Sequence, residues 1–269
     1  MPAGVERSLR ARLASIKKWF ASSRTYRLWR ARNLERRAVG PLEWPNEWSV
    51  IAAPRRDQEP PSDEIVTFAL RAIECARGVK LKSFSERHPE ALDRLDRISG
   101  QHYRILAALA ETWGVRRIVE VGTFRGSSAL ALLEAPNVES LITYDLVSWE
   151  KIDGTWLRAD DFDGRLEQRL LDLADPKTFA AEADVLRRAD LVFVDASKDG
   201  VFEPTFLPRL LGLHAAGPQL VVLDDIRVLT MIRLWHSITF DKLDLTSFGH
   251  WSGTGIIARG GFPPDSRPT

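Results

Sequence analysis

The sequence predicts an α/β fold: a seven-stranded, mostly parallel sheet with an antiparallel last strand, helices on both faces, and a helical N-terminal extension. Three observations predict it. From residue 115 onward, short apolar runs alternate with helical patterns, which is how parallel strands covered on both faces read. The last two runs have no helix between them, so they pair antiparallel. The first forty residues stand apart in charge, with eleven Lys/Arg against Glu6 and Glu35, net +9 in a chain of net +1, so the remainder carries −8.

The elements follow in order. Val5, Leu9, Leu13, Ile16 and Phe20 recur at spacings of three and four, predicting a basic amphipathic helix over 5–21. Pro41, Pro45, Pro54, Pro60 and Pro61 then break regular structure, so residues 1–61 read as a basic helix with a proline-rich arm. Residues 62–262 read as the main domain and 263–269 as a tail. Ser62 and Asp63 mark a helix start, and a second helix runs from about Pro89 to Trp113, interrupted near Gly100. Strands are expected at Arg117–Val121, Leu141–Asp145, Leu170–Leu173, Leu191–Asp195, Leu220–Asp224, Lys242–Phe248 and Gly255–Arg259. Helices are expected at Ser127–Leu133, Asp175–Arg187, Phe202–His214 and Arg227–Ser237.

Composition narrows the class. With 269 residues, 44% hydrophobic and 28% charged, the chain reads as one substantial domain with an extension. No apolar run reaches the roughly 18–20 residues of a membrane span, and the N-terminus lacks the apolar core of a secretory leader. The single Cys75 excludes an internal disulfide and a cysteine-rich zinc site. It lies in the apolar row Ile65, Phe68, Ala69, Ile73, Ala76, where a packing thiol is expected. A reducing cytoplasm fits this usage.

In such folds, ligands sit beyond the carboxyl ends of the strands, and the informative residues cluster there. The stretch Ile118–Ser128 is a strand, a tight turn with Gly122 and Gly126, and a helix start at Ser127 and Ser128. Thr123 and Phe124 break the Gly-x-Gly-x-x-Gly spacing of a dinucleotide site, and the Gly-Lys-Ser/Thr of a P-loop is absent. The pattern is Glu-x-Gly-x-x-x-Gly, and Glu120 at the strand end suits a cofactor with cationic amine and sulfonium groups. Asp145 ends the second strand, placed to accept ribose hydroxyls, and Asp172 near the third is a candidate for the adenine region.

On this loop, residues 117–260 resemble the class I S-adenosylmethionine-dependent methyltransferases. The resemblance implies a Rossmann-like fold of seven strands with the last antiparallel. It also implies an S-adenosylmethionine site at Glu120, Gly122, Thr123, Gly126, Ser127, Ser128, Asp145 and Asp172.

Asp195 follows the fourth strand and Asp224 with Asp225 ends the fifth, so neighbouring strand ends bring three carboxylates together. Adjacent carboxylates repel unless a cation sits among them, and oxygen-only ligands favour a hard ion such as Mg²⁺. Such an ion holds substrate oxygens and lowers the pKa of the one to be methylated. Lys198, three residues past Asp195, is a candidate general base if the site depresses its pKa. Asp225 has a second reading, as cap of the following helix.

The Asp195 and Lys198 spacing is similar to that of the metal-dependent catechol and caffeoyl-coenzyme A O-methyltransferases, whose fifth strand ends in Asp-Asn. The doubled acid Asp224-Asp225 is closer to the macrocin-type enzymes, which act on sugar hydroxyls. The resemblance implies O-methylation of a small hydroxylated acceptor, a glycoside or a phenol with adjacent oxygens. Base-methylating relatives carry Asn/Asp-Pro-Pro-aromatic where this chain has Asp195 to Lys198, which argues against nucleic acid. A metal-independent enzyme and a cofactor-binding scaffold without turnover are the alternatives.

Lesser features complete the reading. Residues 249–255 suggest a tight hairpin with an aromatic packed beneath it, or a wall of the acceptor pocket. Trp149 and Trp156 are candidates to cover adenine or acceptor, or to pack against the N-terminal helices. Ser99, Gly100 and Gln101 precede the first strand, where related chains cover the methionine end of the cofactor. The basic N-terminal helix suits docking or homo-oligomerisation, an anionic membrane surface, or, least, nucleic acid.

Overall fold

Seven strands form one sheet in the order β3-β2-β1-β4-β5-β7-β6 in the computed structural model, which describes residues 59–89, 101–249 and 251–263. All of these belong to the unit Arg56–Thr269. The expected basic helix over 5–21, most of the proline-rich arm, Ser99, Gly100 and His250 lie outside the described residues.

The helices are α1 (Asp63–Ala76), α2 (Lys82–Arg87), α3 (His102–Trp113), α4 (Ser127–Leu132), α5 (Pro176–Arg188), α6 (Phe202–Gly212) and α7 (Leu229–Ser237). The strands are β1 (Arg117–Val121), β2 (Ser140–Asp145), β3 (Leu166–Leu170), β4 (Leu191–Val194), β5 (Gln219–Asp224), β6 (Lys242–Asp244) and β7 (Thr254–Arg259). Strands β1 to β5 are parallel, while β7 runs antiparallel to both β5 and β6. The reversed strand therefore lies inside the edge, between β5 and β6, and the fold is the Rossmann-like one that the resemblance implies.

Local signals set the element ends. Ser62 accepts the Ile65 N–H at 3.1 Å and caps α1. Asp175 caps α5 in the same way, with Pro176 in its first turn. Gly114, at φ +73°, closes α3 in the left-handed conformation that ends many helices.

Two strands depart from the sequence expectation. β6 is Lys242–Asp244 rather than Lys242–Phe248, because Asp244 accepts the Thr246 N–H at 2.8 Å and the chain turns there. β3 spans Leu166–Leu170 rather than Leu170–Leu173. It is an edge strand paired with β2, and of its five residues Leu166 alone is buried, so it lacks the apolar run that marks the central strands. Asp172 thus sits in the loop two residues past the strand.

The sheet divides the core in two. On one face, Ile118, Leu141, Leu191, Phe193, Leu220, Val222 and Ile256 pack against α1, α3 and α4. On the other, Val119, Val121, Val192, Val194, Val221 and Leu223 pack against α5, α6 and α7. Side chains alternate along each strand, so the residues two beyond Ile118, Phe193 and Val222 point to the α3 side. Those residues are Glu120, Asp195 and Asp224.

Cys75 packs against the first face, and burial, then Glu111, pushes its thiol pKa up, as befits a packing residue. Among the described residues, no helix is long and apolar enough to cross a membrane.

Candidate active site

The carboxyl ends of β1 and β4 are where the strand order reverses, and a cavity of 460 Å³ opens there. Gly122, Asp145, Asp172, Asp195 and Phe202 are among the residues that line it. The loop after β1 is built to lie flat against β4. A Cβ at Gly122, where φ is +105°, would stand 2.0 Å from the Asp195 carbonyl oxygen. Gly126, at φ +79°, precedes α4, and a Cβ there would collide with Leu157 at 2.2 Å. Both glycines are therefore required, though by close approach of protein rather than of a ligand.

Asp145 organises this loop. Its Oδ2 accepts the Thr123 and Phe124 N–H groups at 3.0 Å each, and its Oδ1 accepts those of Leu146 and Val147 at 2.7 and 3.1 Å. Four donors occupy most of a carboxylate's accepting capacity. Asp145 thus fixes the shape of the cavity rim, a role not anticipated from its position at the strand end. Asp172 is exposed on the opposite rim and accepts the Ala174 N–H at 2.8 Å. Thr123 is buried with its hydroxyl 2.8 Å from that of Thr143. Ser128 is buried too, and Ser127 is half-buried at the helix start.

Glu120 is the least satisfied group of the loop. It is fully buried, and neither carboxyl oxygen has a hydrogen-bond partner. Burial pushes its pKa up to about 8, against a smaller pull from the Ser128 and Thr143 hydroxyls, which lie near without bonding it. An unsatisfied buried carboxyl costs on the order of 1–3 kcal/mol, so a cationic partner at this place offsets a real deficit.

The three aspartates converge as the sequence predicts. Asp195, Asp224 and Asp225 each present an oxygen within 4.8 Å of the others. Lys198 reaches into the cluster, with Nζ 2.6 Å from Asp195 Oδ1 and 3.7 Å from Asp225 Oδ2. One ammonium against three carboxylates leaves a net charge of −2, which matches a divalent cation, and the donor set of oxygens alone suits a hard one.

Burial in the surrounding protein raises the Asp195 pKa first, with Asp224 and Asp225 adding to it against the pull of Lys198. Its side chain is 37% exposed toward the cavity, which moderates the burial effect.

At this edge the condition attached to Lys198 is not met in the free protein, and the capping reading of Asp225 is corrected. A general-base Lys198 wants a depressed pKa, but here it is raised: burial alone would push it down, and Asp195, then Asp224 and Asp225, outweigh that effect. In the free protein Lys198 is an ammonium countercharge. Asp225 does not cap the following helix, whose N-cap is Val228. Its backbone is left-handed at φ +60°, and its carboxylate faces Lys198.

The Lys198 backbone is also held left-handed, at φ +52°. The buried Glu203 accepts its N–H at 2.9 Å, and Thr230 donates to its carbonyl at 2.9 Å. No local motif marks Glu203.

Two more residues escaped sequence reasoning. His102 and Tyr103 open α3, and both belong to an amphipathic helix whose apolar face hides them in the sequence. His102 Nδ1 lies 3.8 Å from Asp224 Oδ1. Burial pushes the Tyr103 pKa up to about 12, against the pull of the Ser127 hydroxyl and with Asp195, Asp224 and Glu120 adding to the rise.

The tryptophans do not line the cavity. Trp149 stacks on Phe162 at 5.3 Å and Trp156 meets His88 edge-on at 5.0 Å. Trp251 is 76% exposed, and the aromatic packed against the 249–255 turn is the buried Trp235, whose ring would stand 2.6 Å from a Cβ at Gly255.

No protein-family model matches the chain, and no curated protein sequence matches it. Solved structures are similar at low identity. An O-methyltransferase from Bacillus cereus in complex with SAH is 17% identical, covering 67% of this chain and 91% of its own, at a TM-score of 0.47. The O-methyltransferase TomG from Streptomyces achromogenes, involved in tomaymycin synthesis and in complex with SAM, is 22% identical, with 77% and 100% covered, at 0.44. A methyltransferase from Geobacter sulfurreducens is 16% identical, with 76% and 100% covered, at 0.48. At these identities and TM-scores the likenesses assign no activity to this chain.

Proposed function

We propose that this protein is an S-adenosylmethionine-dependent O-methyltransferase, assisted by a divalent cation such as Mg²⁺, acting on a small hydroxylated acceptor. The observation that carries the reading is the convergence of Asp195, Asp224 and Asp225 within 4.8 Å, one strand away from the buried, unsatisfied Glu120. A buried carboxyl that ionises when a cationic group joins it, beside an anionic cluster, suits a cationic methyl donor and an acceptor held through oxygens.

Each residue then has a task. Glu120 faces the amine of the donor, and the N-terminus of α4 with Ser127 and Ser128 offers donors to its carboxylate. The cavity between Asp145 and Asp172 holds the nucleoside, with ribose hydroxyls at the Asp145 rim and adenine toward Asp172. Asp195, Asp224 and Asp225 would hold the cation, which would supply acidification of the acceptor hydroxyl and would offset the carboxylate field that keeps Lys198 protonated. Lys198 takes the hydroxyl proton, since methyl transfer to oxygen releases one proton and a neutral thioether.

The acceptor class is a glycoside or a phenol with adjacent oxygens. The test is methyl transfer from labelled S-adenosylmethionine to sugar and catechol acceptors, with and without EDTA. Loss of transfer on chelation and its return with Mg²⁺ is expected. Full activity in EDTA would refute the cation.

A second reading follows from the ammonium already seated at Asp195. Lys198 itself supplies the positive charge there, and the enzyme works without metal. A scaffold without turnover is separated from both by Lys198→Met, which removes the chemistry and leaves a scaffold's effect intact. The basic N-terminal segment serves, on this reading, to dock on a second copy of the chain or on an anionic membrane surface. Liposome flotation of the full chain against one starting at Ser62 distinguishes the two.

A further inference from the structure

The Lys198 ammonium is aimed by the backbone that carries it. At φ +52° that backbone is left-handed, a conformation a lysine keeps only where its surroundings hold it. Two helices do so. The Lys198 N–H donates to Glu203 Oε1 at 2.9 Å, in the first turn of α6, and the Thr230 hydroxyl of α7 donates to the Lys198 carbonyl at 2.9 Å. The rest of the loop follows a fixed path. Asp199 Oδ1 accepts the Val201 and Phe202 N–H groups at 2.8 and 2.9 Å, and a Cβ at Gly200 would stand 3.3 Å from Thr230 Cγ2. At the far end of the side chain, Nζ donates to Asp195 Oδ1 at 2.6 Å and to the Ala196 carbonyl at 3.2 Å.

Packing does not account for a carboxyl group at position 203. Glu203 is fully buried, and its Oε2 has no hydrogen-bond partner. An unpaired buried acceptor is costly, and an apolar side chain of similar size would fill the same space without that cost. What the carboxyl adds is the bond from Oε1 to the Lys198 N–H. Without it, Lys198 is free to relax to a negative φ, which re-aims its Cα–Cβ direction and takes Nζ away from Asp195.

We propose that Glu203 is a positioning residue of the site: by accepting the Lys198 N–H, it fixes the left-handed backbone that carries the Lys198 ammonium onto Asp195. The inference rests on the reading of Lys198 as the group that takes the acceptor's proton, and it concerns a residue outside the carboxylate cluster.

The test follows Lys198 in the full chain by heteronuclear NMR, with no acceptor and no cation added. A buried ammonium paired with a carboxylate exchanges its protons slowly enough to be seen, whereas a solvated one does not. The wild type should show such a signal, assigned by its loss in Lys198→Met. Glu203→Met keeps the length of the side chain and loses the acceptor. It should abolish the ammonium signal and speed exchange of the Lys198 backbone N–H at least about tenfold. Glu203→Gln keeps a carbonyl acceptor and should retain both signatures. If near-ultraviolet dichroism shows the Met variant misfolded, Glu203→Leu replaces it with the same expected losses. A folded variant without the acceptor that keeps both signatures would overturn the positioning role, as would a wild type with no Lys198 ammonium signal. Methyl transfer to catechol tests the base reading separately. There kcat should fall about 10–100-fold in Glu203→Met, with KM for S-adenosylmethionine unchanged, and recover in Glu203→Gln. Transfer by Lys198→Met at the wild-type rate would overturn the base reading and leave the positioning of the ammonium standing, since the spectra report it without turnover.

Discussion

Gly122 and Asp195 are in backbone contact: the absent Cβ of the glycine would lie 2.0 Å from the aspartate's carbonyl oxygen. The Asp195 N–H also donates to Val121 O at 2.8 Å. The loop after β1 and the carboxylate cluster are therefore one rigid unit, and displacement of either moves the other.

Gly122→Ala should be severely destabilising. It combines a positive φ with a clash against backbone that has no side chain to swing away. A loss of roughly 3 kcal/mol or more is expected in urea denaturation. A loss below about 1 kcal/mol would mean that the loop and β4 separate easily, contrary to this contact.

Glu120 should make stability fall with pH. Its folded-state pKa of about 8 lies above the ordinary 4.5, so the folded protein holds a proton that the unfolded chain has released between those values. Stability is greatest below about pH 4.5 as far as this group is concerned, and it is lost progressively up to about pH 8, by at most about 1.4 kcal/mol per pH unit. Glu120→Gln should remove that slope, so the gap between variant and wild type in denaturant melts widens from pH 5.5 to pH 8. Parallel curves would show that Glu120 is ionised throughout.

Asp145→Ala should cost both stability and ligand binding. Four loop N–H groups lose their acceptor. A loss of about 2 kcal/mol or more in denaturant melts is expected, together with at least tenfold weaker S-adenosylhomocysteine binding by calorimetry. A variant with wild-type melting that fails only to bind ligand would assign Asp145 to the ligand alone.

Asp225→Asn separates charge from backbone. Asn tolerates the left-handed φ of +60° as well as Asp does, so melting should stay within about 0.5 kcal/mol of wild type. Loss of one carboxylate should weaken Mn²⁺ about tenfold. Unchanged Mn²⁺ affinity would remove Asp225 from the proposed ligands.

Much of this fold is legible in the sequence because burial on both faces forces apolar runs. β1, β2, β4 and β5 stand out for that reason, and Ser62, Asp175 and Gly114 mark their helix ends through side-chain and backbone chemistry that is local. Period-two alternation also sends Glu120, Asp195 and Asp224 to one side of the sheet, so the meeting of the carboxylates follows from strand ends alone. β3 escaped, since an edge strand needs no such run and its position is set by pairing with β2.

What only the tertiary structure decided is which long-range neighbours each site group has. His102 and Asp224 are brought together by the packing of α3 on the sheet, and no local pattern encodes a contact between residues so far apart in the chain. The protonated state of Lys198 likewise depends on three carboxylates from two strand ends, whose summed field exceeds the effect of burial. Local chemistry determines where chain elements begin, end and turn their faces. Electrostatics and orientation at the site depend on distances across the sheet, and those exist only once the sheet has formed.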